Sequence, residues 1–484
     1  MNAINKLLFR FTLLLPLLAG CDNYLEENPD NRVELNSISK AAQLLTNSYS
    51  SASYGFTEWM GDNVSFTIGT QKLPNHQEAY NWEEFTQFTQ DTPEYFWNST
   101  YDAIAHANEV LAVLDDLPGD ENRRDAVKGE ALLTRAYGHF MLVNLFGKHY
   151  DPQTADRDLG VPYVEEPEQV FIKEYERNTV EEVYDLVERD LLEGLELVDD
   201  SFYANSGKYH FTRPAALAFA SRFYLFKGDY ENCVNYSNQL LGNDPSIYIK
   251  DIPNLLEQRV NTDDYIRLYT SPNDRSNLLL VRVISNFHVP SLGHWPTRDI
   301  YNGLFEGNPF GSYDIRQDPA WVAGINGLGA TKFELLFERS SLTSNSGLNY
   351  TVILGFRGEE VLLNRAESNL LLNRVDAALA DLQLLADLRF TDGGTVSVQN
   401  IRQYYGPIYE DDRIMVLVYL LDERRKEFIH EGLRWFDLKR YGIPVNHVLE
   451  DGQTVITLEA EDRRKVLQIP ESAVEVGGLE PNRR

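Results

Sequence analysis

The densest cluster of charged and aromatic residues lies between Tyr419 and Gly442, in the stretch YLLDERRKEFIHEGLRWFDLKRYG. Helical spacing would place Arg424 beside Glu427, and Asp437 beside Arg440. Such a cluster is typical either of an active site or of a packed helix hairpin with a half-buried ion network. Apolar residues recur on one face of each half, which favours the packed hairpin.

No catalytic motif accompanies this cluster. His430-Glu431 lacks the second histidine that a zinc-binding helix carries four residues after the first. The glycine-rich stretch 324–332 lacks the Gly-Lys-Ser/Thr ending of a phosphate loop, and a G-x-S-x-G elbow is absent. Cys233 is the only cysteine after Cys21, so a cysteine metal site is ruled out. We therefore expect a protein that is not an enzyme and uses no metal or cofactor.

The charge of the chain excludes one class of partner. Lys and Arg number 44 against 74 Asp and Glu, which gives a net charge of −30. Phosphate backbones would be repelled by such a chain, so we expect no nucleic-acid partner. A solvated surface protein with a neutral or cationic ligand fits this charge.

Recognition by flat apolar surfaces is the chemistry that remains. Sugar rings can stack their C–H faces on aromatic planes, and an indole offers a large contact area at little entropic cost. Trp97 and Trp435 lie within helical patterns and are predicted to be core residues. The candidate ligand-binding residues stand in irregular, polar segments: Trp82, Trp295, Trp321, Tyr80, Trp59 and Tyr313. Tyr80 and Tyr313, together with His294, are weaker candidates than the tryptophans. For each of them, a buried anchor that holds its loop is the alternative role.

Helices are the elements that must position these rings. Helical periods are predicted from 38 to 54, from 94 to 118 and from 122 to 146, and Thr179 followed by Glu182 has the spacing of a capping box. The stretches 214–241 and 357–389 resemble each other as two-helix units rich in small residues. With the hairpins at 94–146 and 410–441 they make about four tetratricopeptide-like units, although simple α-bundle packing explains the periodicity nearly as well. Either way, the predicted fold class is mainly α.

Two segments interrupt the helical pattern. The stretches 55–93 and 243–354 are rich in aromatic and turn-forming residues, and only LLLVRVI at 278–284 indicates a strand. A long irregular insert with this aromatic content is usually functional rather than disordered. We therefore expect both segments to carry the ligand-binding site and to meet on one face of the scaffold.

The amino terminus predicts export and lipidation. Lys6 and Arg10 precede a short apolar run, and Leu18-Ala19-Gly20 leads directly to Cys21. The run is too short to cross a bilayer, and small residues before a cysteine are typical of a lipoprotein cleavage box. We predict a signal peptide at 1–20, lipidation of Cys21, an acidic tether at 21–36 and a single domain at 37–484. An ordinary signal peptide with an incidental cysteine is the alternative.

Cys233 is predicted to be a small core residue. Once Cys21 is lipidated, no second thiol remains in the chain, so an intramolecular disulfide is impossible even in an oxidising compartment.

Several of these stretches together resemble the SusD/RagB family. They are the lipoprotein box at Cys21, FWNSTYDAIAHANEVL at 96–111, TRAYGHFMLVNLFG at 134–147, the ERRKEF and EGLRWFDLKRYG segments, and the closing VLQIPESAVEVGGLEPN. The resemblance implies a cell-surface lipoprotein of the outer membrane, with a tetratricopeptide-like scaffold and a ligand-binding insert. It also implies a role as the lid of a SusC-like TonB-dependent transporter that imports oligosaccharides or oligopeptides. The family's ligand contacts have no motif that can be matched residue by residue here.

The sequence thus predicts a non-enzymatic, surface-anchored binding protein for nutrient import. Oligosaccharides are the preferred ligand because of the Trp- and Tyr-rich segments, and oligopeptides are the alternative because the acidic chain suits cationic peptides. A surface glycoside hydrolase is a second alternative, since the spacing of paired carboxylates is spatial and sequence does not reveal it. A scaffold that binds only other proteins is a third.

Overall fold

Helices dominate the regular structure, which confirms the mainly α fold class. The computed structural model describes residues 35–168, 173–203, 206–407 and 409–484. Within them, Ser37–Arg484 forms one compact unit. The predicted signal peptide, the lipidation site Cys21 and nearly all of the tether at 21–36 lie outside the described residues.

The described α-helices vary from single turns to seven turns. In chain order they are α1 Ile38–Leu44, α2 Phe56–Met60, α3 Pro74–Asn81, α4 Pro93–Leu114, α5 Glu121–Phe146, α6 Val180–Leu197, α7 Arg213–Lys227, α8 Tyr230–Leu241, α9 Ile252–Gln258, α10 Thr262–Tyr269, α11 Arg298–Phe305, α12 Gly358–Leu371, α13 Val375–Asp387, α14 Val398–Tyr405, α15 Asp412–Glu427, α16 Arg434–Arg440 and α17 Glu471–Glu475. None of these described helices combines the length and the apolar character that a membrane crossing requires.

The described strands form three small antiparallel sheets. They are β1 Asn277–Ile284, β2 Ala320–Ala323, β3 Gly327–Ala330, β4 Glu334–Arg339, β5 Gly347–Arg357, β6 Val445–Val448 and β7 Val455–Leu458. The first sheet has the order β1-β5-β4, while β2 pairs with β3 and β6 pairs with β7. Strand β1 is the one that the sequence predicted at 278–284, and that prediction is confirmed.

Four predicted helix pairs are present as sequential hairpins. They are α4 with α5, α7 with α8, α12 with α13, and α15 with α16, and each pair is in contact. Helix α12 also contacts α7, α8 and α15, so it joins three of the four pairs. The likeness of these pairs to tetratricopeptide units stays a prediction.

Small residues allow neighbouring helices to approach closely. A Cβ atom on Gly138 of α5 would lie 3.0 Å from the Ile104 side chain of α4. On another face of α5, a Cβ atom on Gly129 would lie 2.8 Å from the Val198 nitrogen at the end of α6. Gly138 therefore faces the partner helix α4.

Local sequence signals also set helix ends. Thr179 accepts a hydrogen bond from the Glu182 nitrogen, and Glu182 accepts one from the Thr179 nitrogen, so the predicted capping box begins α6. Gly432 has a φ of 77°, a left-handed conformation that glycine adopts at no steric cost, and it lies in the turn between α15 and α16.

Three predictions about the core are confirmed. Cys233 is fully buried and makes no disulfide, and burial raises the pKa of its thiol to about 11. Trp435 and Trp97 are buried as well.

One predicted helix end was wrong, and one predicted irregular segment contains helices. The first helix ends at Leu44 rather than near Tyr54, because the chain that follows turns and becomes extended, where Ser51 accepts a hydrogen bond from Ile284 of β1. The stretch 55–93 is also not fully irregular, since it contains α2 and α3. Pro74 favours the start of α3 through its fixed φ angle.

The predicted ion network is fully buried rather than half-buried. Glu427 binds Arg389 at 2.9 Å, Arg357 at 3.2 Å and Arg316 at 3.5 Å. Burial would raise the pKa of Glu427, but Arg389 and Arg357 outweigh it and hold the pKa well below its usual range. The charge of Glu427 is therefore balanced by arginines from three distant parts of the chain.

The pairing expected from helical spacing is only partly correct. Asp437 and Arg440 form the predicted pair at 2.6 Å. Arg424 binds Asp437 at 3.2 Å instead of Glu427, because the turn at Gly432 folds α16 back against α15.

Replacement of Glu427 by Gln should lower the free energy of unfolding by about 3–5 kcal/mol, because three buried guanidinium groups lose their shared counter-charge. Equilibrium urea unfolding followed by circular dichroism measures this change. Glu338→Gln is the matched control: Glu338 pairs with Arg282, but the two side chains are 62% and 48% exposed. That substitution should cost less than about 1 kcal/mol. Equal effects of the two substitutions would contradict the role given to Glu427.

Candidate functional site

The two irregular segments meet, as predicted. The Ser65 nitrogen donates a hydrogen bond to the Trp295 carbonyl at 3.2 Å, and the Gly293 nitrogen donates to the Gln71 carbonyl at 2.9 Å. Through these main-chain contacts, the loop at 65–72 lies alongside the chain at 291–295. The loop is thereby fixed by backbone geometry and not only by side-chain packing.

The hairpin of β2 and β3 completes this meeting. The Ile325 nitrogen donates to the Ile68 carbonyl at 2.7 Å. Asn326 accepts from the Ile68 nitrogen at 2.7 Å and donates to the Phe66 carbonyl at 3.3 Å. One amide side chain therefore joins the hairpin turn to the 65–72 loop.

Apolar and aromatic side chains are exposed at this meeting point. We call it the junction surface, and it consists of Phe66, Ile68, Lys72, Trp321, Val322 and Ile325. Ile68 is 50% exposed, Val322 57% and Ile325 70%. Contiguous exposed apolar residues mark interaction sites more often than single ones do.

Trp321 is half-buried on the hairpin, and its surroundings hold its ring in place. Its ring meets the Trp295 ring edge-on at a centroid distance of 4.4 Å. On the neighbouring strand it lies over Gly329, where a Cβ atom would come within 2.3 Å of the indole. The absence of a side chain at Gly329 thus makes room for the indole.

Phe66 and Lys72 add a cation to the junction surface. Lys72 Nζ lies 4.4 Å from the centroid of the Phe66 ring. The same ammonium group donates to the carbonyls of Thr67 and Thr70. A half-buried ring with an ammonium group over it presents both apolar and hydrogen-bonding chemistry to a ligand.

Four of the six predicted ligand-binding aromatics are buried, so the expectation of a free ring face is not met at these positions. Trp59 and Trp295 are 0% exposed, Tyr80 is 2% exposed and Trp82 is 4% exposed. Trp82 Nε1 donates to the Met60 carbonyl at 2.9 Å, and Trp295 Nε1 donates to the Leu292 carbonyl at 2.7 Å. The physical reason is that irregular segments have few ladder hydrogen bonds and need buried rings as anchors.

A column of stacked rings shows how these anchors work. Tyr80 lies between His294 at 4.0 Å and His447 at 4.1 Å, and His447 stacks on Trp82 at 4.4 Å. The column joins α3, the chain before α11 and strand β6. His294 has no hydrogen-bond partner on either ring nitrogen among the described residues, and burial lowers its pKa to about 3.

Tyr313, the sixth predicted residue, is 46% exposed, and its hydroxyl donates to Asp318 at 2.6 Å. Of the predicted set, only Trp321 and Tyr313 present ring surface to solvent. Sequence reasoning missed Ile68 and Ile325. Their signal was an isoleucine set between turn-forming residues, at Thr67–Gly69 and at Gly324–Asn326.

The segment after α15 supports the hairpin side of the junction surface. His430 Nε2 accepts a hydrogen bond from the Ala330 nitrogen at 3.1 Å. Glu431 binds Lys332 at 2.9 Å, just beyond β3. The stretch that the sequence singled out therefore holds the hairpin that carries Trp321.

The same segment supports the other side of the junction. The Gly432 nitrogen donates to Glu58 at 2.9 Å, and Arg434 binds Asp62 at 2.9 Å. Both contacts fix the chain that leads into the 65–72 loop.

Two buried carboxylates near the junction have raised pKa values, which is a feature of catalytic acids. Burial raises the pKa of Glu58 to about 7 and that of Asp91 to about 6. Each carboxylate is 2% exposed or less. Glu58 accepts hydrogen bonds from Asn63 and from the Gly432 nitrogen. Asp91 accepts them from Ser285, at 2.6 Å, and from the Asn286 nitrogen. Both carboxylates therefore tie loops together, with no access for a substrate.

Comparison with known proteins gives matches over most of the chain. Residues 23–225 match a family model described as starch-binding associating with outer membrane, and residues 325–473 match the model of the SusD family. "SusD-like protein P2" of Formosa agariphila is 23% identical, over 90% of this chain and 91% of its own. "SusD-like protein P38" of the same organism is 21% identical, over 89% and 90%.

Solved structures share the fold. A SusD superfamily protein from Bacteroides thetaiotaomicron is similar with a TM-score of 0.66 and 21% identity, over 93% of this chain and 100% of its own. A laminarin-binding SusD-like protein is similar with a TM-score of 0.61 and 19% identity, over 92% and 98%.

The raised pKa of Glu58 predicts a specific pH dependence. A carboxyl whose folded-state pKa lies above its unfolded value of about 4.5 holds its proton more tightly when folded. Its contribution to stability is therefore lost as pH rises from about 4.5 through about 7. The free energy of unfolding of the wild type, minus that of Glu58→Gln, should fall by about 3 kcal/mol over this window.

Urea unfolding of both proteins at pH 4.5, 6 and 8 measures this difference. Glu83→Gln, at an exposed position of the same segment, controls for the loss of one carboxylate. A Glu58→Gln difference that stays constant with pH would show that the proton on Glu58 is not linked to folding.

Proposed function

The chain belongs to the SusD/RagB family, and from this premise we propose that it captures oligosaccharides at the cell surface and passes them to a transporter. The partner in this proposal is a SusC-like TonB-dependent outer-membrane transporter, over which the protein acts as a lid. No bond is broken in this role. The family model described as starch-binding and the fold shared with a laminarin-binding protein support the choice of a carbohydrate ligand.

The junction surface is the observation that carries the proposal. It combines the half-buried Trp321 of the β2–β3 hairpin with the exposed Ile325 in the turn of that hairpin and the exposed Ile68 of the adjoining loop. The ring of Trp321 is held by Trp295 and is half-exposed, so part of it is accessible without rearrangement. A rigid aromatic surface binds sugar rings with little loss of side-chain entropy.

We propose Trp321 as the main ligand contact and Tyr313 as a secondary one. Trp59, Trp82, Trp295 and Tyr80 then act indirectly, because they anchor the loops that form the surface. Asn326 is a further candidate, since its amide lies at the seam of the junction and is half-buried.

Anchoring at the outer membrane is part of the proposal. The family model that matches residues 23–225 is described as associating with the outer membrane. In this proposal the lipid on Cys21 supplies the attachment, and the acidic stretch after it holds the folded part away from the bilayer and toward the cell exterior.

Oligopeptides are the second candidate ligand, and the net charge of −30 favours them. Cationic peptides would be attracted to such a surface over a distance of about 8 Å at physiological salt. Salt dependence separates the two ligands, because stacking on an uncharged sugar is insensitive to ionic strength.

Replacement of Trp321 by Ala should weaken oligosaccharide binding by about tenfold or more, since the main aromatic contact is lost. Isothermal titration calorimetry with laminariheptaose, maltoheptaose and a panel of tryptic peptides provides the measurement. Thermal melting checks that the variant is folded, because Trp321 also packs against the buried Trp295.

Phe337→Ala is the matched control, because Phe337 is 52% exposed on β4, outside the junction surface. It should leave the affinity unchanged. Unchanged affinity in Trp321→Ala would exclude the junction surface as the binding site. Binding of peptides alone would favour the second candidate, and release of reducing ends by the purified protein would establish a hydrolase instead.

A further inference from the structure

A polar cleft lies apart from the junction surface. It is bordered by the chain after α5, the end of α16, the turn at 460–466 and the chain at 480–483, and its volume is about 990 Å³. Among the described residues, seven basic and five acidic side chains line it, in a chain whose net charge is −30. Basic side chains therefore outnumber acidic ones among the lining residues, although the protein as a whole is strongly negative.

Two lysines in the cleft are bound only by backbone carbonyl groups. Lys439 Nζ donates to the carbonyls of Asn144 and Gly147. Lys465 Nζ donates to the carbonyl of Ile443 at 2.9 Å and to that of Ala460 at 2.8 Å. Lys465 is 5% exposed and Lys439 is half-buried. Within the described part of the chain, neither ammonium group forms an ion pair.

Other buried lysines of the chain are paired with carboxylates. Lys250 binds Asp274 at 2.8 Å and Lys332 binds Glu431 at 2.9 Å. Lys426 likewise binds Glu423, at 3.0 Å. Buried charges are normally compensated in this way because desolvation of an ion is costly. The two cleft lysines lack this compensation by a carboxylate among the described residues.

A structural role accounts for part of this arrangement. Lys439 binds carbonyls at the end of α5, where a cation is favoured by the helix dipole. That role requires a donor but gives Lys439 no carboxylate partner. Burial lowers the pKa of Lys439 to about 7, in line with its lack of a carboxylate partner. Burial also lowers the pKa of Lys465.

The other charges of the cleft include paired and unpaired groups: Arg440 is paired with Glu367 and Asp437, whereas Glu461 and Glu480 form no ion pair among the described residues. Asp158 is paired with Lys148 at 2.6 Å, and Asp462 with Arg464 at 2.7 Å. Arg463 and Arg483 are exposed at the rim, and neither has a carboxylate partner among the described residues. An anion in the cleft would thus meet two half-buried or buried ammonium groups and two exposed guanidinium groups.

We propose that this cleft binds an oxyanion, a sulfate ester or a carboxylate, that is carried on a saccharide. The cleft is larger than a free ion requires. Its volume is typical of sites that bind ligands with several rings. Guanidinium and ammonium groups together are the usual partners of sulfate and carboxylate oxygens. The choice of a saccharide as the carrier rests on the proposed function, whereas the preference for an anion does not.

A sulfated oligosaccharide and its desulfated form make the direct test. Titration calorimetry compares the κ-carrageenan tetrasaccharide with the same tetrasaccharide after chemical desulfation, on wild type and on Arg463→Ala/Arg483→Ala. The sulfated form should bind the wild type about tenfold more tightly, and the double variant should lose that preference, since charge-assisted hydrogen bonds are removed. Both substituted residues are exposed, so folding should be unaffected, and thermal melting checks this.

Arg259→Ala/Arg339→Ala is the matched control, because it removes the same charge from two exposed positions away from the cleft. It should retain the preference for the sulfated form, and so should Trp321→Ala. Equal affinity for the two tetrasaccharides, a preference that survives in Arg463→Ala/Arg483→Ala, or binding of neither compound would overturn the proposal. Failure of the proposed function is distinct, since it is the absence of binding by the neutral laminari- and malto-oligosaccharides.

Discussion

The charge balance around Glu427 is the constraint on which the rest of the structure depends. One carboxylate at the end of α15 binds Arg389 from the end of α13, Arg357 from the end of β5 and Arg316 from the irregular insert. Helical scaffold and insert are thus joined at a buried charge cluster, in which Arg316, Arg357 and Arg389 also bind Glu423, Glu431 and Glu359 respectively. Downstream of it, His430, Glu431 and Gly432 hold the two sides of the junction surface. The charged stretch at 419–442, whose composition is also typical of an active site, therefore positions the junction surface.

Much of the scaffold could be predicted because its signals are local. Helical period, the capping box at Thr179 and the glycine at 432 each depend on residues a few positions apart, and the structure has all three. The partners of the buried charges could not be predicted, because Arg316 and Glu427 are 111 positions apart. The predicted end of α1 was wrong because a nonlocal contact determines it: the chain after α1 turns to meet β1.

The candidate site was predicted at the level of segments but not of most residues. The sequence indicated that 55–93 and 243–354 belong together, and main-chain bonds between 65–72 and 291–295 confirm that they meet. An aromatic ring in an irregular segment can serve as an anchor or as a contact, and composition does not separate the two. Trp295 and Trp321 illustrate this, since their rings touch each other while one is fully buried and the other is half-exposed.

The central claim is that the junction surface receives an oligosaccharide without rearrangement of the buried rings behind it. A crystal structure of the protein with a bound oligosaccharide, chosen from those that bind in solution, tests this most directly. The account predicts sugar density against the exposed side of Trp321, near Ile68 and Ile325, with the Tyr80–His294–His447 column unmoved. Sugar density at another site, or a column that opens so that Tyr80 or Trp82 contacts the ligand, would contradict it.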